Sequence, residues 1–128
     1  MRGGPILVVE DDALSLELVT DVLTAAGYAV VQAHRAEEAF VAVRRETPAL
    51  VLLDLGLPGM DGLMLLHALR ADPRTQDVAV IAVTARAMPS DEVAARAAGC
   101  DGYITKPVDT RRLLHEVARY LGADGGRA

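Results

Sequence analysis

Four apolar runs in this chain end in side chains that could do chemistry. ILVV at 6–9 runs into Glu10-Asp11-Asp12, ALVLL at 49–53 into Asp54, VAVIAV at 78–83 into Thr84, and GYI at 102–104 into Thr105-Lys106. Strand ends turn polar wherever a chain leaves its core, and that accounts for one or two acids. It accounts less well for three carboxylates, a hydroxyl and the chain's single lysine. Carboxylates gathered at one sheet edge repel, at about 4 kcal/mol per pair for a separation of about 4 Å and an effective dielectric near 20. A hard divalent cation offsets that cost, and Mg²⁺ favours one or two carboxylates, waters and a phosphate oxygen. Lys106 could balance charge from the other side. Metal and lysine both favour ionised carboxylates, which counts against a general acid/base pair. The set suits a carboxylate nucleophile attacking phosphorus, with metal, lysine and Thr84 stabilising the equatorial oxygens. An aspartyl phosphate is a high-energy acyl phosphate that adds roughly −1.5 to −2 of charge, enough to act as a signal.

These residues need elements to carry them. The apolar runs, with YAVV at 28–31 as a fifth, are nearly continuous, as expected for strands covered on both faces of a parallel sheet. Segments with helical spacing lie between them. Residues 13–26 set Leu14, Leu18, Val19, Val22 and Ala26 on one side, with Leu16 at the margin, either packed or exposed for docking, and Gly27 as the C-cap. Residues 35–46 carry Ala36, Ala39, Phe40 and Val43, and residues 62–71 carry Leu63, Leu65, Leu66 and Leu69 before Pro73. A fourth helix is predicted from Ser90, as N-cap, to Gly99, and a fifth from Asp109, aligning Leu113, Leu114, Val117 and Leu121. Five strands alternating with five helices predict a doubly wound, five-stranded parallel α/β domain over residues 5–121. The Gly-rich residues 122–128 are expected to fray, and no output domain is expected within the chain. In such sheets the carboxyl edge lines the ligand crevice, and all the polar strand ends fall there.

Composition narrows the function classes. The 128 residues suit one domain, and one Phe with no Trp demands an aliphatic core. A net charge of −5 argues against a nucleic-acid surface. No apolar run approaches a membrane span, and the N-terminus lacks the pattern of a signal peptide. A lone Cys100 fits a reducing compartment, so a cytoplasmic protein is expected. Of the 13 basic residues only Lys106 is lysine, which is either a residue kept for its compact ammonium or the remnant of a codon bias.

Four stretches, ILVVEDD at 6–12, VLLDLGLPGMDG at 51–62, VTARA at 83–87 and GYITKPVD at 102–109, resemble the response-regulator receiver domains of two-component systems. The resemblance spans residues 5–121 and implies a flavodoxin-like (βα)5 fold. It implies Asp54 as phosphoacceptor, Mg²⁺ on Asp11 and Asp54, Glu10 acting through water, and a further ligand from the Gly56 carbonyl. Asp12 is then the start of the first helix. Lys106 is implied as the phosphate-contacting lysine, before a Pro107 bond that is cis in many relatives, and Thr84 with Tyr103 as the switch pair. Ala85 would leave room for a phosphodonor, and Arg86 stands where receivers tune dephosphorylation. The implied partners are a histidine kinase or histidine phosphotransfer domain and a downstream protein on the last helix–strand–helix face, with no nucleic acid or membrane. The implied role is a phosphoacceptor signalling domain rather than an enzyme.

Rival readings are fewer. A haloacid-dehalogenase-like phosphatase needs an acid two residues after its nucleophile, where this chain has Gly56. A flavin-binding flavodoxin needs a phosphate loop after the first strand, where EDDALS would repel it. A receiver cut from a hybrid kinase or a longer regulator stays open. His34, His67 and His115 lack metal spacing, Cys100, Met60 and Met64 read as packing, and Arg111-Arg112 as a solvated helix face.

Overall fold

Apolar runs too short for helices and too continuous for one-sided strands can be dried only by a sheet covered on both faces. The computed structural model describes residues 4–57, 62–85 and 88–121, and it has that arrangement. In chain order the elements are β1 (Ile6–Val9), α1 (Ala13–Ala25), β2 (Val30–Ala33), α2 (Ala36–Arg45), β3 (Leu50–Leu53), α3 (Gly62–Ala71), β4 (Ala79–Thr84), α4 (Pro89–Ala97), β5 (Gly102–Thr105) and α5 (Thr110–Leu121). All strand pairs are parallel, in the order β2-β1-β3-β4-β5 of flavodoxin-like sheets. The chain turns outward to β2 after β1 and then crosses back to β3, so the switch point lies between β1 and β3.

Two aliphatic layers result. Ile6, Val8, Leu52 and Ile81 pack with Leu16, Leu23, Leu113 and Val117 of α1 and α5. Leu7, Val51, Leu53 and Val80 pack with Ala39, Leu65, Leu66 and Ala95 of α2, α3 and α4. Each such leucine contributes about 1.5–3 kcal/mol by leaving water. No helix among the described residues is long and apolar enough to cross a membrane.

Four local expectations are corrected. In α1 the buried stripe is Leu16, Val19 and Leu23, while Leu14 is 77% and Leu18 44% exposed, and Ala26 is exposed beyond the helix end. This helix has more apolar residues than one face can bury, so two stripes compete, and docking on Ile6 and Val8 selects the Leu16 one. The second strand starts two residues later than expected: after Gly27 at φ 99° the Tyr28 N–H returns to the Leu23 carbonyl (3.0 Å). As an edge strand β2 also leaves Val31 and Gln32 exposed. Helix α4 begins at Pro89, not at Ser90, because proline needs no N–H partner in a first turn and Asp91 accepts the Met88 N–H at 3.2 Å. Met64, expected to pack, is 58% exposed on α3.

Other local signals hold. The Asp12 carboxylate caps α1 through the Ser15 N–H (2.9 Å), and Asp109 caps α5 through Arg111 and Arg112 (2.9 and 3.2 Å). Cys100 is buried, and the three histidines are exposed. Met60 and residues 122–128 lie outside the described residues.

Candidate functional site

Parallel register assembles the site. Val9 pairs with Leu53, and the Asp54 N–H reaches the Val9 carbonyl at 3.0 Å, so Glu10 and Asp54 leave the sheet side by side. Thr84 pairs with Thr105, and the Lys106 N–H bonds the Thr84 carbonyl at 2.8 Å, which brings the lysine over the same edge. Oxygens of Glu10, Asp11 and Asp54 all lie within 4.8 Å of one another. Asp11 is exposed, whereas Glu10 and Asp54 are only 4% and 7% exposed.

Lys106 stands between the two buried acids, with Nζ 2.6 Å from Glu10 Oε1 and 3.1 Å from Asp54 Oδ2. The remaining oxygens are also engaged. The Gly56 N–H donates to Asp54 Oδ1 (2.9 Å), and the Asp12 N–H donates to Glu10 Oε2 (3.0 Å). Burial pushes the Asp54 carboxyl up, but the Gly56 N–H and the Lys106 ammonium outweigh it and hold the group below the usual aspartate range. For Glu10, burial is the largest influence and the neighbouring Asp54 charge adds to it, so its carboxyl stays above the usual range despite Lys106. Burial works against the Lys106 charge, yet hydrogen bonds to Glu10 and Asp54 prevail and raise its pKa. With every group ionised, three carboxylates and one ammonium leave two negative charges in excess. Hard oxygen donors with that excess fit Mg²⁺.

Two glycines shape the loop after Asp54. A Cβ on Gly62 would stand 2.6 Å from the Leu55 Cα and 2.7 Å from the Asp54 carbonyl, so α3 can begin this close only without a side chain. Gly56 faces the pocket through its N–H. Thr84 is 1% exposed at the end of β4. Tyr103, level with Ala82 on edge strand β5, is 5% exposed within the layer that includes Ala95. Ala85 is exposed beside Thr84, and the Lys106–Pro107 bond is cis. Arg86, with Ala87 of the same motif and residues 58–61 of the loop, lies outside the described residues.

Some contacts around the site gave no sequence signal. Arg112 Nη2 donates to the Tyr103 carbonyl at 3.1 Å, tying α5 to the edge strand, so Arg112 is not merely a solvated charge. At the far end of the sheet Arg70 donates to the Gly99 carbonyl (3.0 and 2.7 Å), the Val78 carbonyl (2.6 Å) and Asp101 Oδ2 (2.8 Å). Asp101 also accepts the Val80 N–H (2.9 Å), so α3, β4 and the α4–β5 turn are joined there.

Known proteins with this pattern agree. The family model of the response regulator receiver domain matches residues 6–118. The polar-differentiation response regulator DivK of Brucella anthropi is 37% identical over 117 residues, 91% of this chain and 95% of that protein. The CheY-like receiver domain protein of Methanospirillum hungatei JF-1 superposes with a TM-score of 0.86 at 32% identity, over 98% of both chains. The receiver domain of a sensor histidine kinase from Pseudomonas aeruginosa PAO1, whose structure holds a magnesium ion in its active-site cleft, reaches 0.86 at 29% identity, over 94% of this chain and 98% of that one. With the 2-1-3-4-5 parallel sheet and an acidic pocket at its switch point, these matches establish that the chain belongs to the response-regulator receiver domain family.

Proposed function

We propose that residues 5–121 form a phosphoacceptor unit that takes a phosphoryl group from a phosphohistidine onto Asp54, with the donor a histidine kinase or a histidine phosphotransfer domain. One observation carries this reading. Asp54 sits buried at the switch point with one oxygen held by the Gly56 N–H and the other by the chain's only lysine, within 4.8 Å of two more carboxylates. A carboxylate kept ionised in a half-dry pocket is a competent nucleophile, and a bond from its oxygen to phosphorus forms as the bond to the imidazole nitrogen breaks. Asp11 and Asp54 would hold Mg²⁺ directly, with Glu10 through water and the Gly56 carbonyl as a further ligand. The ion supplies charge neutralisation at the phosphoryl oxygens. Lys106 would turn to the new phosphoryl group, and the Thr84 hydroxyl would bond another of its oxygens. Tyr103, already packed inward, would report the change to the face built by α4, β5 and α5, where a downstream protein binds.

The donor domain has a place to dock. Helix α1 starts directly after Glu10-Asp11-Asp12, and its exposed leucines are Leu14 and Leu18, with Leu16 buried. The chain's own chemistry in this reading is limited to self-phosphorylation and autodephosphorylation, and its place is the cytoplasm. Incubation with acetyl phosphate and Mg²⁺ tests the assignment. The wild type is expected to gain an acid-stable, base-labile phosphoryl group, and Asp54→Asn to gain none. Full labelling of Asp54→Asn would remove Asp54 from the role.

A further inference from the structure

Helix α5 buries Leu113, Val117 and Leu121. Arg111, His115 and Arg119 repeat at the same four-residue interval on its other side, and all three are exposed. Each step along that row rises about 6 Å. No ion pair to Arg111 or His115 exists among the described residues. The only acid in the helix, Glu116, has a side chain just 14% exposed and stands 3.8 Å from Arg119. Helix α1, beside α5 in the same layer, carries Glu17 and Asp21 and no basic residue, yet no ion pair links the two helices among the described residues. On a chain of net charge −5 the outer face of α5 is therefore a local reversal of sign. Exposed charges add little to stability, and of the row only Arg119 has neighbours of this kind, Glu116 at 3.8 Å and the Tyr120 ring at 5.5 Å, so folding does not explain the row.

We propose that this face docks an acidic segment of a partner protein, its carboxylates meeting Arg111, His115 and Arg119. The inference deepens the reading of the last helix as part of an output face and rests on that reading for the partner's role, though not for the charge of the surface. A nucleic acid fits less well, because a polyanion long enough to track α5 also meets the acids of α1, while a short acidic segment lies on α5 alone.

Fluorescence anisotropy with three probes tests this: a short helical peptide with glutamates at four-residue spacing, its lysine counterpart, and a short DNA duplex. The full chain is expected to bind the glutamate peptide alone, more weakly as salt rises. The double variant Arg111→Glu/Arg119→Glu is expected to lose about tenfold or more of that affinity. Its thermal melt and its labelling by acetyl phosphate are expected to stay at wild-type levels. Unchanged peptide binding in the double variant would overturn the proposal. Equal binding of the duplex would overturn it in favour of a nucleic acid, and a wild-type dimer in sedimentation that the variant abolishes would overturn it in favour of a second copy. If the wild type takes no label from acetyl phosphate, the receiver role fails, while the peptide comparison still decides the surface.

Discussion

A carboxylate nucleophile must be ionised and yet shielded from water, and Asp54 meets both demands through its neighbours. The Gly56 N–H and the Lys106 ammonium repay the desolvation, which is why its carboxyl lies below the 3.8 of a free aspartate. Because the folded value is the lower one, Asp54 adds stability that is full above pH 3.8 and is lost as the pH falls through that folded value. Glu10 has the opposite sign: raised from 4.5, its contribution is full below that pH and fades as the pH climbs through the raised value. In metal-free buffer Asp54→Asn is therefore expected to narrow the gap between the urea midpoints measured at about pH 7 and about pH 3. An unchanged gap would mean that Asp54 gains nothing from its partners. The acids and Lys106 were legible in the sequence because each stands within two residues of the end of an apolar run. Arg70 was not, since its ion pair with Asp101 spans 31 positions and joins the end of α3 to the α4–β5 turn, which no local pattern relates.

At the scale of elements, α1 shows where periodicity runs out. Leu14, Leu16, Leu18, Val19, Val22 and Leu23 populate two overlapping stripes, and either rotation buries an apolar face. The sheet and α5 decide for Leu16, Val19 and Leu23. Leu16→Ala is expected to cost about 2–5 kcal/mol in urea unfolding, whereas Leu14→Ala stays within about 0.5 kcal/mol. Equal costs would reinstate the other stripe. Leu14→Ala would instead slow phosphotransfer from a donor domain while leaving acetyl phosphate labelling intact. Helices with one apolar stripe, such as α2 and α5, are legible in the sequence because only one rotation buries that stripe. The N-cap of α4 falls at Met88, two residues before Ser90, because Pro89 and Asp91 together make a better first turn than a serine cap.

For the whole molecule, the pocket's excess negative charge is a cost carried by the fold that a bound cation would relieve. Mg²⁺ is expected to raise the unfolding free energy by about 2.7 kcal/mol at a hundredfold excess over its dissociation constant. The gain should disappear in Asp11→Asn and in Asp54→Asn, read as the shift in thermal midpoint with and without EDTA. A wild-type midpoint indifferent to Mg²⁺ would take the ion out of the site. The sequence by itself determined the alternation of five strands and five helices and the residue types at the sheet's carboxyl edge. Burial imposes those patterns locally, run by run, whatever the final arrangement. Only the tertiary structure decided that Asp54 and Lys106, 52 positions apart, share a hydrogen bond, and that Glu10 stands beside them. That meeting depends on strand order and parallel register, which are set by how whole faces pack and are written in no single segment.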